Sequence, residues 1–426
     1  MGKTGRGSFG AALVLILALR RLTWAANPAS PEARLFLDAT TQPADATANS
    51  AFDADLTGDW GGGRQQLQNA GVSVGGTFLS EGFHNFQGGI DSSHTVGSTT
   101  LDLNVTVDMQ KLLNWNGGEF YVDLEDHAFR NPTTALVGDL QGFDEQNSAP
   151  YLQVFELWYQ QQFFDGKLRI KVGKVDANSE FSVIDNGLSF VNGSAQNSPT
   201  NFLMPTMPDP MPSVNLFFTP NDFYCAGFGA YYANRSDRFG DLVDDAAQVQ
   251  ESEFGTYFTG EMGWKWTDAP MLGTGNFKVG AWGHTGTFRR FDGTEQSGTY
   301  GYYAIWDQTF WQPAGEPMGG RGVRGFIDFG VTQDDIYAID RHIGAGITWT
   351  GPIESRPADI IGFGPEYAHI SQEAGLRYPY ELAVEGFYQW QVTPWAFVQP
   401  DLQYIVHPGG EHPNALVATV RVQVSF

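Results

Sequence analysis

The stretch ALVATVRVQVSF, residues 415–426, decides how the rest of the chain is read. Leu416, Ala418, Val420, Val422, Val424 and Phe426 share one parity; Val417, Thr419, Arg421, Gln423 and Ser425 share the other. Side chains alternate across a strand, so this is a strand with one apolar and one mostly polar face. A soluble sheet shows the same alternation. An amphipathic last strand ending on Phe also suits a membrane barrel, with apolar faces toward lipid and polar faces toward a lumen.

Working outward, the alternation recurs. In TTLDLNVTVDM (99–109), Leu101, Leu103, Val105, Val107 and Met109 oppose Thr100, Asp102, Asn104, Thr106 and Asp108. EFYVDLED continues it after NWNGG, so the two runs are expected to form a hairpin. KLRIKV (167–172) alternates Lys167, Arg169 and Lys171 with Leu168, Ile170 and Val172. Similar runs lie at 278–288, 300–311, 322–331, 342–350, 380–392 and 396–406. Most have the length a tilted strand needs to cross a bilayer. The reading is all-β: a transmembrane antiparallel β-barrel of about 16 strands with a short N-terminal helical segment. A secreted sandwich or propeller is the competing architecture.

The chain starts as an exported protein does. Lys3 and Arg6 precede AALVLILAL (11–19), followed by small residues near Ala25 and Ala26. Residues 1–26 are therefore expected to be a signal peptide. Residues 27–55 read as a flexible lead-in, and 56–426 as the barrel. In LTGDWGGGRQQLQNAG (56–71), Asp59 is placed to cap a short helix and Gly71 to end it.

With 24 Lys and Arg against 48 Asp and Glu, the chain opposes nucleic acid, which needs a basic surface. Cys225 is the only cysteine, so the fold does not rest on an internal disulfide. It reads as a buried small side chain. The eight histidines form no HExxH and there is no GxSxG, so no metal ligand, cofactor or catalytic residue is assigned. Two connections stand out. Residues 198–220 hold Pro199, Pro205, Pro208, Pro210, Pro212 and Pro220, which argues against a central strand. Such a loop either folds into a lumen or covers it from outside. Residues 236–253 read as a solvated acidic loop.

Four blocks are more specific than composition: LTGDWGGGRQQLQNAGV (56–72), ELWYQQQFFDGKLRIKVGKVDANSEF (156–181), GYYAIWDQTFW (301–311) and YQWQVTPWAFVQPDLQYIVHPGG (388–410). Together they resemble the carbohydrate-selective porin, OprB, family. The resemblance implies a barrel in the outer membrane of Gram-negative bacteria that lets sugars such as glucose diffuse through. It implies mono- or oligosaccharide solutes and outer-membrane lipids as partners. Phe426 is then the signal read by the barrel-assembly machinery.

A sugar pore needs charged and amide groups for hydroxyls and gains from an aromatic ring against the pyranose face. Parity proposes Asp102, Glu125, Glu385, Gln399, Asp401, Gln403 and Arg421 as pore or sugar-binding residues. Arg64, Lys174, Asp176 and Asn178 join them because they lie in the family-like blocks. Lys174 shares parity with Leu168, Ile170 and Val172, so it must sit at a strand end or past a bulge. Trp158 is the stacking candidate, and the other tryptophans read as interface belts. Arg64, Lys174 and Arg421 against Glu125 and Glu385 would make an eyelet. A general or cation-favouring pore, and a barrel enzyme acting on lipid or envelope sugars, are the alternatives.

Overall fold

In the computed structural model, residues 55–233, 255–269, 273–317 and 319–426 are described. The expected signal (1–26), nearly all of the lead-in (27–55) and the acidic loop (236–253) lie outside them.

Sixteen strands, each antiparallel to its neighbour, close into a barrel. β1 (Val72–Gln87), β2 (Thr95–Asp108), β3 (Gly118–Phe129) and β4 (Tyr151–Phe163) are followed by β5 (Leu168–Val175) and β6 (Met211–Asn221). β7 (Tyr224–Ala233), β8 (Gly255–Ala269), β9 (Gly273–Arg289), β10 (Glu295–Trp311) and β11 (Gly322–Thr332) continue the wall. β12 (Ile339–Thr350), β13 (Ile360–Ile370), β14 (Tyr380–Thr393), β15 (Ala396–Val406) and β16 (Ala415–Ser425) complete it. β16 pairs with β1, setting Arg421 opposite Glu81. Closure leaves no free sheet edge, so the wall's ladder groups pair with neighbouring strands instead of water, apart from bulges and the first half of β4, which has no β5 partner.

Burial follows the parity read from the sequence. Val420, Leu402, Ile347, Ile343, Phe329, Leu216 and Leu103 are exposed on the outer face. Arg421, Asp401, Gln403, Glu385 and Glu125 are buried inside. Trp349 and Trp390 face outward, as belt residues do, whereas Trp282 departs from that expectation and is buried in the interior. Cys225 is half-buried rather than buried.

Two local readings are corrected. The 99–109 strand stops at Asp108, because Met109–Leu113 forms a single helical turn. The Asp108 carboxylate caps it, accepting from the Gln110 and Lys111 amides at 2.9 and 3.1 Å. The hairpin therefore turns through this helix as well as through NWNGG. Second, 198–220 is not one loop, since Met211–Asn221 is strand β6 with β5 and β7 on either side. Its prolines sit where the ladder tolerates them. Pro212 precedes the first β6–β7 pair, Ser213↔Tyr231, and Pro220 falls in the irregularity between Phe218 and Asn221.

At the short-turn end, Gly63–Asn69 forms a short helix. Gly61 and Gly62 adopt positive φ, so the helix begins only after them. Asp59 Oδ1 accepts the Gln65 amide at 2.8 Å, and Gly71, at φ +92°, follows the helix end.

Candidate functional site

The lumen is divided by its own loops. Residues 176–210, joining β5 to β6, turn inward and bury Phe181, Ile184, Phe190, Val191, Ala195 and Met204. Four wall carboxylates receive this loop through its backbone, the first being Glu156 on β4, which accepts the Asp176 amide at 2.8 Å. The Val191 and Asn192 amides donate to the two oxygens of Glu385 at 2.7 and 2.9 Å. The Asn186 and Asp185 amides donate to Asp307 at 2.8 and 3.3 Å. The Ser182 amide donates to Glu261 at 2.9 Å. Gln399 Nε2 adds a bond to the Ser189 carbonyl at 2.9 Å, and Asn192 Nδ2 donates to Gln403 Oε1 at 3.1 Å. A charged acceptor bonded to backbone N–H satisfies both groups away from bulk water.

The wall is shaped for the loop as well as wired to it. Phe190 packs edge-on against Phe326 and Phe387 at 5.7 and 5.1 Å. It fits because Gly346 and Gly364 are glycines, where a Cβ would lie 2.8 Å from its ring. Residues 198–210 also lie inside the lumen, with Ser198 3.4 Å from His342, Phe202 against Trp282 at 5.6 Å and the Pro208 carbonyl accepting from Gln153 at 2.6 Å, so of the two readings left open by the prolines the inward one holds.

A second inward loop, 130–150 between β3 and β4, covers the wall of β1 and β14–β16. Phe143 meets Phe83 at 5.6 Å. The Leu140 and Gln141 amides donate to Glu381 at 2.9 and 3.0 Å, and Gln403 Nε2 donates to the Phe143 carbonyl at 2.7 Å. Arg421 reaches Glu81 on β1 at 2.7 Å and Glu145 on the loop at 2.6 Å. Burial pushes the Glu145 carboxyl up to about 7, against the pull of Arg421. The two loops brace each other through Glu145 N–H to the Val191 carbonyl at 2.9 Å and Gly193 N–H to the Gly142 carbonyl at 2.8 Å.

The opposite wall, β2–β5, carries charge of both signs. Asp102, Asp123 and Glu125 lie close together. Glu125 accepts a short hydrogen bond from the Tyr151 hydroxyl. On β5, Arg169 grips Glu180 of the inward loop with two bonds, at 2.9 and 2.6 Å. Lys171 pairs with the same carboxylate. Burial alone would raise Glu180, but Lys171 and Arg169 outweigh it and hold the carboxyl at about 2. The Arg169 guanidinium lies 3.9 Å from the Phe217 ring centre and the Lys171 ammonium 3.8 Å from that of Trp158. Trp158 also stacks on Tyr121 at 4.9 Å.

The residues singled out from sequence thus separate into groups. Glu385, Gln399 and Gln403 meet at the loop seat, and Asp401 stands beside Gln403, whose Nε2 donates to it at 3.4 Å. Arg421 joins the loops. Asp102, Glu125 and Trp158 line the charged wall. Lys174 does turn inward, donating to Gln153 Oε1 and the Val154 carbonyl, both at 2.7 Å. The irregularity required for this is Gly173, at φ +144°, where a Cβ would lie 2.2 Å from the Leu157 carbonyl oxygen. Asp176 and Asn178 build the turn that starts the loop, with the Asn178 amide on Asp176 at 2.8 Å. Burial raises Asp176 to about 6, against hydrogen bonds from Thr206, Asn178 and Ser179. Arg64 stands apart at the short-turn end, bonded to Asp55 at 2.7 Å and to the Val74 carbonyl at 2.8 Å. The five charges imagined as one eyelet are therefore not brought together. Glu180, Asp307 and Glu261 were not selected from the sequence; Glu180 and Asp307 lie inside family-like blocks, and Glu261 is on a strand that was not read for alternation.

Comparison with known proteins agrees with this architecture. The family model described as carbohydrate-selective porin, OprB family, matches residues 97–426. Porin B of Pseudomonas aeruginosa is 24% identical over 87% of this chain and 91% of the relative. The putative porin QuiX of Acinetobacter baylyi is 24% identical over 89% of this chain and 95% of the relative. A high-pH structure of Pseudomonas putida OprB superposes with a TM-score of 0.79 at 22% identity, covering 89% of this chain and all of that one. With a closed barrel, an apolar outer face and a lumen narrowed by its own loops, the chain belongs to the carbohydrate-selective porin family OprB and is a sugar-diffusion porin of the bacterial outer membrane, not an enzyme.

Proposed function

We propose that the solutes are neutral monosaccharides such as glucose, and that they pass the narrow zone where loop 176–210 meets β5. The observation that carries this reading is the Arg169–Glu180–Lys171 ladder beside the Tyr121–Trp158 stack. Arg169, with its side chain 14% exposed, keeps guanidinium N–H groups open to hydroxyls, while Glu180 and Lys171, each 1% exposed, hold it in place from behind; such fixed donors suit a neutral polar solute. Arg169, Tyr121, Asp102, Asn104 and Asn276 are only partly buried, and the Asp185 side chain is 52% exposed, so each is open to a passing solute. Binding at such sites stays weak and repeated, as conduction requires.

In this reading Glu385, Gln399, Gln403, Lys174, Asp176, Asn178 and Arg421 serve the pore by holding its loops, and Arg64 ties the short helix to β1. The apolar outer face takes lipid chains. Phe426, whose amide bonds the Gly76 carbonyl at 3.0 Å, presents its terminal aromatic ring to the assembly machinery during insertion. One observation favours a second reading: the Asp102–Asp123–Glu125 cluster suits a cation-favouring pore. Planar-bilayer recordings separate the two. The sugar reading requires glucose to reduce the ion current and to enter proteoliposomes faster than an amino acid of similar size. Current indifferent to glucose, with a reversal potential set by cations, would sink it.

A further inference from the structure

The register of β11–β13 sets a second, buried group of donors beneath the inward loop. Asp328 pairs with Gly344, and Gly344 pairs with Glu366, so two carboxylates flank one glycine on a single rung. His342 lies two residues along β12, on the same inward face. All three side chains are no more than 2% exposed. The imidazole Nδ1 is 3.0 Å from Asp328 Oδ2, and Nε2 is 3.2 Å from Glu366 Oε2. The carboxylates lean over Gly344. A Cβ there would lie 2.0 Å from Glu366 Oε2 and 2.3 Å from Asp328 Oδ1, so only glycine leaves this cradle open.

Two facts show that the group is incomplete as a salt bridge. Asp328 Oδ1 and Glu366 Oε1 are fully buried and accept no hydrogen bond from the described residues. With both carboxylates ionised, one imidazolium leaves an excess negative charge. Glu385, opposite Gly364 on the next strand, adds negative charge rather than relieving it. Burying net charge without a partner is strongly unfavourable. A doubly charged cation with a neutral imidazole and two carboxylates sums to zero.

We infer that Asp328, His342 and Glu366 form a binding site for a divalent transition cation such as Zn2+. Imidazole nitrogen and carboxylate oxygen are suitable ligands, at about 2.0–2.2 Å from the metal. One ligand atom from each residue already lies within 4.8 Å of the others, and a shared ion would take one imidazole nitrogen while the carboxylate now on the other nitrogen swings toward it over Gly344. The site has a structural consequence. Ser198 Oγ lies 3.4 Å from His342 Nδ1, and Ser198 and Thr200 cover the neighbouring Gly330. A bound ion would therefore fasten the C-terminal half of the inward loop to β11–β13, independently of the Glu385 seat and of which solute passes.

The test is metal content of the folded chain in detergent. The protein is stripped with EDTA, equilibrated with Zn2+ alone, desalted and assayed for zinc. One zinc per chain is expected, falling to near zero in Glu366→Gln and in His342→Gln, each checked for an intact barrel by its heat-dependent gel mobility. Gly344→Ala retains all three donors but fills the cradle, and should lose zinc as well. If the wild-type chain takes up no zinc, or if it and the folded variants hold equal amounts, the site is refuted. Should the variants not fold, Co2+ added to the wild type decides alone. Visible absorption bands of an imidazole–carboxylate complex support the site, and the spectrum of aqueous Co2+ overturns it.

Discussion

The β8–β15 wall and the β2–β5 wall are built from the same alternating strands, yet they use their inward charges differently. On the first, Glu385, Asp307 and Glu261 receive backbone amides of loop 176–210, and inward glycines receive its Phe190. On the second, backbone contacts are confined to the two ends of the loop, Asp176 on Glu156 and Pro208 on Gln153; Arg169 and Lys171 meet a side chain of the loop, and Asp102, Asp123 and Glu125 cluster among themselves. One wall is mainly a socket, and the other is the one proposed to border the solute path. An inward charge on a barrel strand is therefore not in itself a solute contact; what matters is whether a loop has already claimed it.

The largest effect that would break this comparison is loss of the socket. Glu385→Ala leaves the Val191 and Asn192 amides buried without an acceptor, at about 1–3 kcal/mol each. The loop should leave its seat while the barrel stays closed. Higher single-channel conductance and new protease cleavage within 176–210 are the expected readouts, and Gly346→Leu should act the same way by displacing Phe190. Unchanged conductance in both variants would mean that the loop does not set the pore.

Arg169→Ala probes the other wall. It removes a charge-assisted donor of about 1.5–3 kcal/mol, so glucose block of the current should weaken roughly tenfold, with conductance changing far less than in Glu385→Ala. Equal effects on both quantities would erase the distinction between socket and path.

Acid provides a smaller, graded test. Glu180 sits at about 2 in the folded chain against an ordinary 4.5. Its contribution to stability is complete above about 4.5 and is lost as pH falls from there through about 2. Glucose block depends on the ionised clamp in the folded pore, so where this clamp is concerned it should hold steady from neutral pH down to about 3 and fall by about half near 2. The decline should be absent in Glu180→Gln.

The smallest change is expected from Arg64→Ala. Its guanidinium serves Asp55 and the Val74 carbonyl at the short-turn end, so the unfolding temperature should drop slightly and glucose block should not move. A weakened block would bring this end of the molecule into the solute path.

Several features were legible before any coordinates. Alternation in ALVATVRVQVSF and TTLDLNVTVDM identified membrane and lumen faces, because a strand's two faces follow directly from residue order. The parity conflict at Lys174 announced an irregularity, which Gly173 supplies. Prolines were read too strictly: Pro212 and Pro220 lie in β6, at places where no ladder donor is needed. Trp282 was misjudged as belt because composition carries no information about which tryptophan the inward loop will cover.

By itself, the sequence determined a membrane barrel of about sixteen strands, the parity of its lumen and its family. Only the tertiary structure decided which inward groups hold loops and which stay open to a solute. The physical reason is distance along the chain. Glu385 meets Val191 across 194 residues and Gln403 meets Phe143 across 260. Local pattern records the direction in which a side chain points, whereas its partner is chosen by barrel closure and by loops folding into the space that closure creates.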